Sequence, residues 1–414
     1  MIDILYIQAK NHPNKTFITY NNQIISYMDF NNMTNNIIKT IQKDKQKYIG
    51  VQIQDHLKLL TTIIAINRLK KIPILYPNYS NIKDFINITN IPVSIKDDNI
   101  IINKSKTKNL KVTYNKNNTQ MVMFTSGTTG YPKACELSYN NLYQSTVLWN
   151  HIIQFKNSDC YLNHMPLTHI SGISIFLRAL YCNFEMVIDK FDVKNYMQLI
   201  NNNKINIISM VPSMFYKIVK IHDIKIFEKL KAIIIGGSKI NNEMLNIIKK
   251  NKIPAYISYG MTETSSGIAG FWANQKNIYK AHKDVDISVD KSKIKISSNV
   301  VMTKYMNNKK TYGILQTNDI GEMHGEKLFS IKNRTDNIVN SGGEKFSSIQ
   351  IKNIIEKLEE VQHCKIKIIK DKEWGQIVHA YVKVNIKLRK YNLLDKIKEK
   401  LPPYMVPKKI FINQ

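Results

Sequence analysis

Short apolar runs that end at glycine or hydroxyl residues, with helical stretches between them, constrain the fold of this chain most. The run MVMF (121–124) leads into TSGTTG, AIII (232–235) leads into two glycines, and PAYISYG (254–260) ends in another glycine. Met244 and Ile248 hold helical spacing between the last two runs. Buried strands that alternate with helices are typical of a parallel sheet. We therefore predict an α/β fold that binds its ligands at the carboxyl ends of the strands.

Helix signals occur on both sides of these runs. Helical spacing marks residues 57–68, and Ser138 or Asn140 is placed to cap a helix that follows the MVMF run. Residues 104–118 are polar and read as a connector. These signals predict helices that flank the sheet.

The residue pattern of the sequence changes after about residue 335. Ser347 and Gln350 form a capping-box pattern ahead of apolar residues at helical spacing. CKIKIIK and IVHAYVKVNI then alternate like strands, and a further helix covers 393–401. We predict a large N-terminal domain (1–334) with parallel-rich sheets flanked by helices, and a small mobile α+β C-terminal domain (335–414).

Composition excludes several classes of protein. The 414 residues contain no apolar run near the ~18 residues that a membrane span needs. Four cysteines do not make a disulfide framework, and the N-terminus lacks the pattern of a secretory signal. We expect a soluble cytoplasmic protein of unknown oligomeric state, without a membrane span.

The net charge of +29 suggests a nucleic-acid binder as one alternative. The lysines are scattered among asparagines and isoleucines, however, and they form no long basic block. We therefore expect no nucleic-acid partner. The positive electrostatic potential would still attract a polyphosphate substrate.

The densest chemical signal is TSGTTGYPKA (125–134), directly after the MVMF run. Its glycines allow backbone N–H groups to converge on an anion, and its hydroxyls and lysine add donors. A polar turn is the alternative interpretation. The segment matches neither a Walker A loop nor a dinucleotide-binding glycine pattern. The residues assigned to a phosphate loop are Thr125, Ser126, Gly127, Thr128, Thr129, Gly130 and Lys133.

This loop resembles the phosphate loop of the adenylate-forming acyl-CoA synthetase (AMP-binding) superfamily. Further segments resemble the family's other motifs in the same order along the chain: MPLTHISG (165–172), GGS (236–238), YGMTETSS (259–266), TND (317–319), NRTDNIVNSGGEKF (333–346), WGQ (374–376) and PPYMVPKKI (402–410). The resemblance covers nearly the whole chain. It implies an AMP-forming acid–thiol ligase that uses ATP, Mg²⁺ and CoA.

The resemblance also implies roles for individual residues. Tyr259 would stack on adenine beside the turn at Gly236, and Asp319, assisted by Arg334, would accept hydrogen bonds from the ribose. Thr262 would contact the α-phosphate, and Glu263 would hold Mg²⁺, which prefers oxygen ligands. The implied catalytic residues are Lys133, His169, Thr262 and Glu263. Asp336 would be the hinge between the domains, and His169 would lie between the acyl and CoA channels.

Within the superfamily, YGMTETSS, PLTHISGISI and DKEWGQIVHAYV resemble segments of the 2-succinylbenzoate–CoA ligases of menaquinone (vitamin K2) biosynthesis. The implied acid is then 2-succinylbenzoate. Ligases for another fatty or aryl acid, or for a carrier protein, remain alternatives. A non-catalytic AMP-binding relic is a further one.

The chain departs from the family pattern at several positions. Ala134 stands in place of a glycine, Asn318 interrupts T-G-D, and Gln350 stands where glutamate is common. Ser347 and Ser348 follow the glycine pair without the usual proline. The family's tail lysine, which follows the PKK-like motif, has no counterpart in the sequence, so we assign no residue to it. On this basis we expect weak adenylation and better-preserved thioester formation.

Overall fold

The computed structural model describes residues 1–42, 45–78, 82–125, 132–334, 338–358, 360–384 and 390–413. Three sheets flanked by helices make up this part of the chain. The predicted α/β fold class is confirmed. Among the described residues, no helix is long and apolar enough to cross a membrane.

One helix precedes the first strand, and the others fall between strands. They are α1 (Ile4–Asn11), α2 (Tyr27–Ile41), α3 (His56–Arg68), α4 (Lys83–Thr89), α5 (Tyr139–Ile153), α6 (Ile170–Cys182), α7 (Tyr196–Asn202), α8 (Pro212–Ile221), α9 (Asn242–Lys250), α10 (Ser348–Glu356) and α11 (Lys390–Lys400). The helix expected at 57–68 is therefore present as α3.

The strands, in chain order, are β1 (Thr16–Tyr20), β2 (Gln23–Ser26), β3 (Tyr48–Gln52), β4 (Ile72–Leu75), β5 (Val93–Lys96), β6 (Thr119–Thr125), β7 (Lys133–Ser138), β8 (Cys160–Asn163), β9 (Glu185–Ile188), β10 (Ile207–Met210), β11 (Ala232–Ile235), β12 (Ala255–Met261), β13 (Ser266–Trp272), β14 (Tyr279–Ala281), β15 (Asp286–Asp290), β16 (Lys293–Ser297), β17 (Lys304–Tyr305), β18 (Ile314–Met323), β19 (Leu328–Arg334), β20 (Ile338–Ser341), β21 (Glu344–Ser347), β22 (Val361–Asp371), β23 (Gly375–Val384) and β24 (Lys409–Asn413).

The largest sheet has a parallel centre and an antiparallel extension. Its strand order is β15-β16-β18-β19-β14-β13-β12-β11-β10-β8-β9-β1-β2. The pairs from β1 through β9, β8, β10 and β11 to β12 are parallel, and those from β12 onward to β15 are antiparallel. All four residues of β11 are buried, as expected for a central strand covered on both faces. The glycine turn at 236–237 therefore lies at the carboxyl edge of the parallel strands.

The second sheet carries the two ends of the predicted phosphate loop. Its order is β17-β7-β6-β4-β3-β5, with β6 and β7 antiparallel. The sequence analysis missed β7, because the MVMF strand was expected to lead through the loop to a helix. The helix α5 begins only after β7, and Ser138 caps it, with its hydroxyl accepting from the Asn141 amide at 3.1 Å.

The third sheet lies within residues 338–413 and has its own apolar core. Its order is β21-β20-β23-β22, with β24 parallel to β23. Ser347 caps α10 by accepting from the Ile349 amide at 3.2 Å, and the buried Ile351 and Ile355 of that helix face this core. Of the predicted capping-box pair Ser347 and Gln350, the structure thus shows the cap at Ser347. Residues 335–337, which include Asp336, lie outside the described residues. The domain boundary at 334/335 and the hinge therefore stay predictions.

Candidate active site

The two ends of the predicted phosphate loop are held together by a β-pair. Thr125 is the last residue of β6 and Lys133 is the first of β7, and the two are partners in the strand register. Of the residues assigned to the loop, Ser126, Gly127, Thr128, Thr129 and Gly130 lie outside the described residues, so their roles stay predictions. The pairing brings the first and last members of the predicted loop side by side.

Glu263 joins these two ends from another sheet. It lies in the 3₁₀ turn Thr262–Thr264 that follows β12, and its Oε1 accepts from Thr125 Oγ1 at 3.0 Å. The backbone carbonyl of Glu263 accepts from the Met302 amide at 2.8 Å, which fixes the turn. A carboxylate is therefore set beside the loop, as the motif order implied.

Tyr305 completes this group, and the sequence analysis did not identify it. Its hydroxyl donates to Glu263 Oε1 at 2.9 Å, and Lys133 Nζ lies 5.2 Å from the centre of its ring. Tyr305 reaches this place because β17 pairs with β7. No local pattern marks it, since its segment is short and polar.

The donor set suits Mg²⁺ bound together with a polyphosphate. No group of three or more His, Cys, Asp or Glu side chains in the described part of the chain is arranged to hold a metal by itself. Mg²⁺ commonly uses one or two carboxylates and fills its other positions with water and substrate phosphates. Glu263, with the Thr125 hydroxyl beside it, fits that kind of site.

Tyr259 and Asp319 form a second pair next to this group. The Tyr259 hydroxyl donates to Asp319 Oδ2 at 2.6 Å, and both residues are buried. The Tyr259 ring meets Phe329 and Tyr279 edge-on, at 5.9 and 6.1 Å between ring centres. Asp319 is the register partner of Arg334, whose side chain lies outside the description. The structure thus brings together the predicted adenine and ribose residues.

The glycine turn after β11 contacts the third sheet. Gly237 has φ +81°, and its carbonyl accepts from Asn340 Nδ2 at 2.6 Å. A Cβ on Gly343 would lie 2.4 Å from Val211 Cγ1, so only glycine allows this approach. The glycine pair of the third sheet is therefore packed beside the predicted acyl and adenine turn.

His169 lies at the other side of this contact. It is the N-cap residue of α6, and its Nε2 lies 3.9 Å from Glu344 Oε2. Both residues line a cavity of about 370 Å³, together with Phe124, Thr125 and residues near Pro402. His169 is thus placed between the phosphate-loop strand and the C-terminal sheet.

Two other histidines lie deeper than His169 and were not identified from the sequence. Burial lowers the pKa of His164 to about 4. Burial and the nearby positive charge of Arg178 lower the pKa of His282 to about 3. Both are therefore neutral at pH 7. His282 Nε2 lies 2.8 Å from the Tyr256 hydroxyl, and His164 Nδ1 lies 3.4 Å from that of Tyr196.

A family model and curated relatives match this chain. The model described as AMP-binding enzyme matches residues 84–299. The 2-succinylbenzoate–CoA ligases of Listeria innocua and Lactococcus lactis are each 28% identical to it, over 72% and 70% of the chain. These alignments span 67% and 66% of the relatives' own lengths.

Solved structures resemble the whole chain. A double mutant of o-succinylbenzoate CoA synthetase from Bacillus subtilis, bound with a product analogue, has a TM-score of 0.89 at 20% identity. It covers 100% of this chain, which covers 95% of it. The same enzyme in complex with ATP and magnesium ion has a TM-score of 0.76 at 20% identity, with coverages of 100% and 96%. The fold class is confirmed by these structures as well.

Proposed function

Since the chain belongs to the AMP-binding enzyme family, we propose that it is an AMP-forming acid–CoA ligase and that its acid is 2-succinylbenzoate. Such a reaction would lie in menaquinone biosynthesis. The acid is proposed because curated relatives with that name align with about seven tenths of the chain.

The observation that carries the proposal is the convergence on Glu263. Thr125 and Tyr305 donate to the same carboxylate oxygen, at 3.0 and 2.9 Å. Thr125 ends β6, which leads into the phosphate loop, and Tyr305 lies on β17, which pairs with β7. Lys133 contacts the ring of Tyr305 from the other end of that loop. A carboxylate, a cation and hydroxyls around one loop are the groups that MgATP requires. This arrangement supports nucleotide chemistry over a structural turn.

The nucleoside would bind at the neighbouring pair. The carboxylate of Asp319 would accept from the ribose hydroxyls, with Arg334 assisting, and the Tyr259 ring would lie along adenine beside Gly236. The existing bond from Tyr259 to Asp319 orients both groups before ATP arrives. A preorganised site of this kind loses less conformational entropy on binding.

In the first half-reaction, an oxygen of the acid's carboxylate attacks the α-phosphorus of ATP. The bond to the bridging oxygen breaks, and pyrophosphate leaves with the electron pair. Mg²⁺ would neutralise phosphate charge during this step, held by Glu263. Thr262 would contact the α-phosphate and Lys133 the other phosphate oxygens. Catalysis here is mainly positioning and stabilisation of charge.

In the second half-reaction, the CoA thiolate attacks the carbonyl carbon of the acyl-adenylate, and AMP leaves. We propose that residues 335–414 act as the small mobile domain for this step, with the hinge at Asp336. The contact of Gly343 with Val211 and of His169 with Glu344 would then close the site from that side. The higher TM-score to the complex with a product analogue, 0.89 against 0.76 for the ATP complex, fits this arrangement.

We also propose a cytoplasmic location. The four cysteines, Cys135, Cys160, Cys182 and Cys364, are free, which suits a reducing compartment.

The test is to incubate the protein with MgATP and 2-succinylbenzoate, with and without CoA, and to measure pyrophosphate, AMP and acyl-CoA separately. A fatty acid and benzoate serve as competing acids. With CoA we expect pyrophosphate, AMP and the thioester in equal amounts. Without CoA we expect pyrophosphate and the acyl-adenylate, and no thioester. Turnover of a fatty acid or benzoate in preference would show that the acid is wrong. No ATP binding at all would contradict the assignment of the site.

A further inference from the structure

Glu136 is a buried carboxylate on β7, three residues beyond Lys133. A buried charge is costly unless it is paired. Its Oε1 lies 3.5 Å from Lys304 Nζ, and its Oε2 accepts from Thr119 Oγ1 at 2.8 Å. The Tyr48 hydroxyl donates to Oε1 at 3.4 Å, and burial together with the Glu136 charge raises the pKa of Tyr48 to about 12. Both carboxylate oxygens therefore have protein partners, and one of these partners is a cation.

The cation belongs to the short strand that carries Tyr305. Strand β17 consists of Lys304 and Tyr305 alone, and their register partners on β7 are Glu136 and Cys135. The amides just before and just after these two residues donate to carbonyls of β7 at 2.9 and 2.7 Å. In so short a ladder, a shift by one residue breaks few backbone bonds but turns each side chain to the opposite face. The ion pair between Lys304 and Glu136 favours one register over the others.

Tyr305 lies on the opposite face of β17 from Lys304, because successive side chains of a strand point to opposite faces. On that face its hydroxyl donates to Glu263 Oε1 at 2.9 Å. Cys135, its register partner, lies on the same side, with its Sγ 4.0 Å from the Thr262 carbonyl oxygen. A one-residue shift of β17 would exchange the two faces and move the Tyr305 hydroxyl away from Glu263.

The segment around β17 contacts Glu263 at two points. The Met302 amide donates to the Glu263 carbonyl at 2.8 Å, and Tyr305 donates to the Glu263 carboxylate. Met302 also lies against β7, with its Sδ 3.2 Å from Cys135 Sγ. One short segment thus holds both the backbone and the side chain of the carboxylate that is proposed to bind Mg²⁺. Whatever fixes this segment on β7 therefore also fixes Glu263.

A second buried ion pair shows the same construction away from the site. Asp159 Oδ2 lies 2.6 Å from Lys231 Nζ, and the side chains of Asp159 and Lys231 are 3% and 25% exposed, against 4% and 30% for Glu136 and Lys304. Asp159 and Lys231 immediately precede β8 and β11, at the amino ends of these parallel strands. The glycine turn at 236–237 lies at the opposite, carboxyl edge. This pair is therefore a matched comparison for Glu136 and Lys304.

On the basis of the proposed function, we infer that Glu136 and Lys304 are positioning residues for the Mg²⁺ site. Their ion pair sets the register of β17, and this register brings the Tyr305 hydroxyl to Glu263. The hydroxyl then holds the Glu263 carboxylate in one orientation before the metal arrives. A preorganised ligand loses less conformational entropy on binding, so the ion pair raises the affinity for Mg²⁺. Neither Glu136 nor Lys304 is assigned a contact with the metal or the nucleotide, since both act through Tyr305.

The alternative is that Glu136 acts on the metal through its charge alone, and the two mechanisms predict different signs. Removing the negative charge of Glu136 weakens Mg²⁺ binding under either mechanism. Removing the positive charge of Lys304 strengthens Mg²⁺ binding if charge alone matters. If the pair acts by position, both removals weaken Mg²⁺ binding, because each breaks the same ion pair. Glu136→Gln and Lys304→Met are therefore tested together.

The test measures ATP–pyrophosphate exchange at increasing Mg²⁺ concentration, with the acid that the parent uses. In Glu136→Gln and in Lys304→Met, we expect the Mg²⁺ concentration for half-maximal rate to rise about threefold to tenfold, the effect of losing about one hydrogen bond. Tyr305→Phe should give a rise of the same size. When Lys304→Met is combined with Tyr305→Phe, the second change should add less than about twofold, because residues that act through one contact are not additive.

Asp159→Asn, at the comparison pair, is the matched control. It should lower the melting temperature and leave the Mg²⁺ response unchanged. Lys304→Met also covers the case in which Glu136→Gln does not fold, because this lysine is partly exposed.

Four outcomes would overturn the inference. A lower Mg²⁺ requirement in Lys304→Met would show a direct effect of charge. Additive losses in the combined variant would show that the pair acts independently of Tyr305. A fall in melting temperature alone, with an unchanged Mg²⁺ response, would make the pair structural. If the parent catalyses no exchange with 2-succinylbenzoate, the fatty acid or benzoate, the proposed function fails and the inference falls with it, whereas the first three outcomes in an active parent leave the proposed function standing.

Discussion

The charged groups of the proposed nucleotide side and the buried Arg178 of α6 differ in the partners that the protein gives them. On the nucleotide side, Glu263 and Asp319 already accept hydrogen bonds from protein hydroxyls. Arg178, buried in α6, donates to Ser266 Oγ and lies over the Trp149 ring, and it forms no ion pair with a carboxylate of the described residues.

The difference shows two ways of holding a charged group in this protein. Hydrogen bonds within the protein hold Glu263 and Asp319 in a fixed geometry, as catalysis by charge stabilisation requires. The buried charge of Arg178 is instead compensated by an aromatic ring and neutral hydrogen-bonding groups.

We expect the largest effect on adenylation from a substitution of Glu263, on the nucleotide side of the comparison. Glu263→Gln keeps the shape and the acceptor for Thr125 and Tyr305, but removes the charge that would hold Mg²⁺. We expect adenylation to fall by about 10²–10³, as for loss of one preorganised charge-stabilising group. The Mg²⁺ concentration for half-maximal rate should rise. Both are measured by ATP–pyrophosphate exchange at increasing Mg²⁺.

Glu322→Gln is the matched control, because Glu322 is exposed and pairs with Lys332 at the surface. It should behave like the parent. An unchanged Mg²⁺ response in Glu263→Gln would remove this residue from the metal site and weaken the description of the nucleotide side.

The next effect concerns nucleotide affinity. Asp319→Asn keeps a partner for the Tyr259 hydroxyl and removes the charge offered to the ribose. We expect ATP to bind about 10- to 100-fold more weakly, since a hydrogen bond to a charged group contributes about 1.5–3 kcal/mol. Calorimetric titration of ATP and of AMP measures it, and both should weaken alike because they share the ribose.

Asp286→Asn, at an exposed carboxylate on β15 in the same sheet, serves as the control. If Asp319→Asn binds both nucleotides like the parent, the bond from Tyr259 to Asp319 is structural only.

The third prediction concerns how stability depends on pH at His282, which lies near Arg178. Burial lowers the folded-state pKa of His282 to about 3, so the unfolded chain, with a histidine pKa of about 6.5, binds the proton first on acidification. The neutral ring therefore contributes stability above about pH 6.5, and this is lost as the pH falls toward 3. By pH 5 the loss would reach up to about 2 kcal/mol in the free energy of unfolding, from 1.36 kcal/mol per pKa unit.

His282→Gln should lower stability at pH 7 and should lose less between pH 7 and pH 5 than the parent. Urea unfolding at the two pH values measures the difference. His324→Gln, at an exposed histidine, should follow the parent. A pH dependence in His282→Gln equal to that of the parent would mean that His282 is not held neutral beside Arg178.

The sequence predicted the nucleotide side better than the position of Arg178, for a physical reason. Thr125 and Lys133 belong to one short segment whose glycine and hydroxyl content predicts a phosphate site by itself, whereas the role of Glu263 is implied by the family resemblance. Their meeting in the structure agrees with the motif order, while the roles assigned to them stay predictions. The strand β7 was missed because a polar loop gave no sign that the chain would turn back before α5.

Arg178 could not be identified in this way. Helical spacing places it on a face with Ser171 and Ser174, but which face of α6 is buried depends on how Trp149 and Ser266 pack from distant parts of the chain. Tyr305 has the same difficulty, because its place depends on the pairing of β17 with β7. Long-range pairing decides these positions, and a single sequence does not display it.

The smallest effect tests whether Tyr305 belongs to the nucleotide side. Tyr305→Phe removes the hydroxyl that donates to Glu263 and keeps the ring that lies 5.2 Å from Lys133 Nζ. Glu263 keeps its bond from Thr125, so we expect only about a threefold to tenfold loss in adenylation rate. Tyr305→Ala should lose somewhat more of the adenylation rate, because a partly exposed cation–π contact adds about 0.5–1 kcal/mol.

Tyr312→Phe is the control, because Tyr312 is 84% exposed. Pyrophosphate exchange measures the rates, and a loss in Tyr305→Phe as large as that in Glu263→Gln would mean that the hydroxyl contacts the reacting groups itself. No loss in either Tyr305 variant would confine the nucleotide side to Thr125, Lys133 and Glu263.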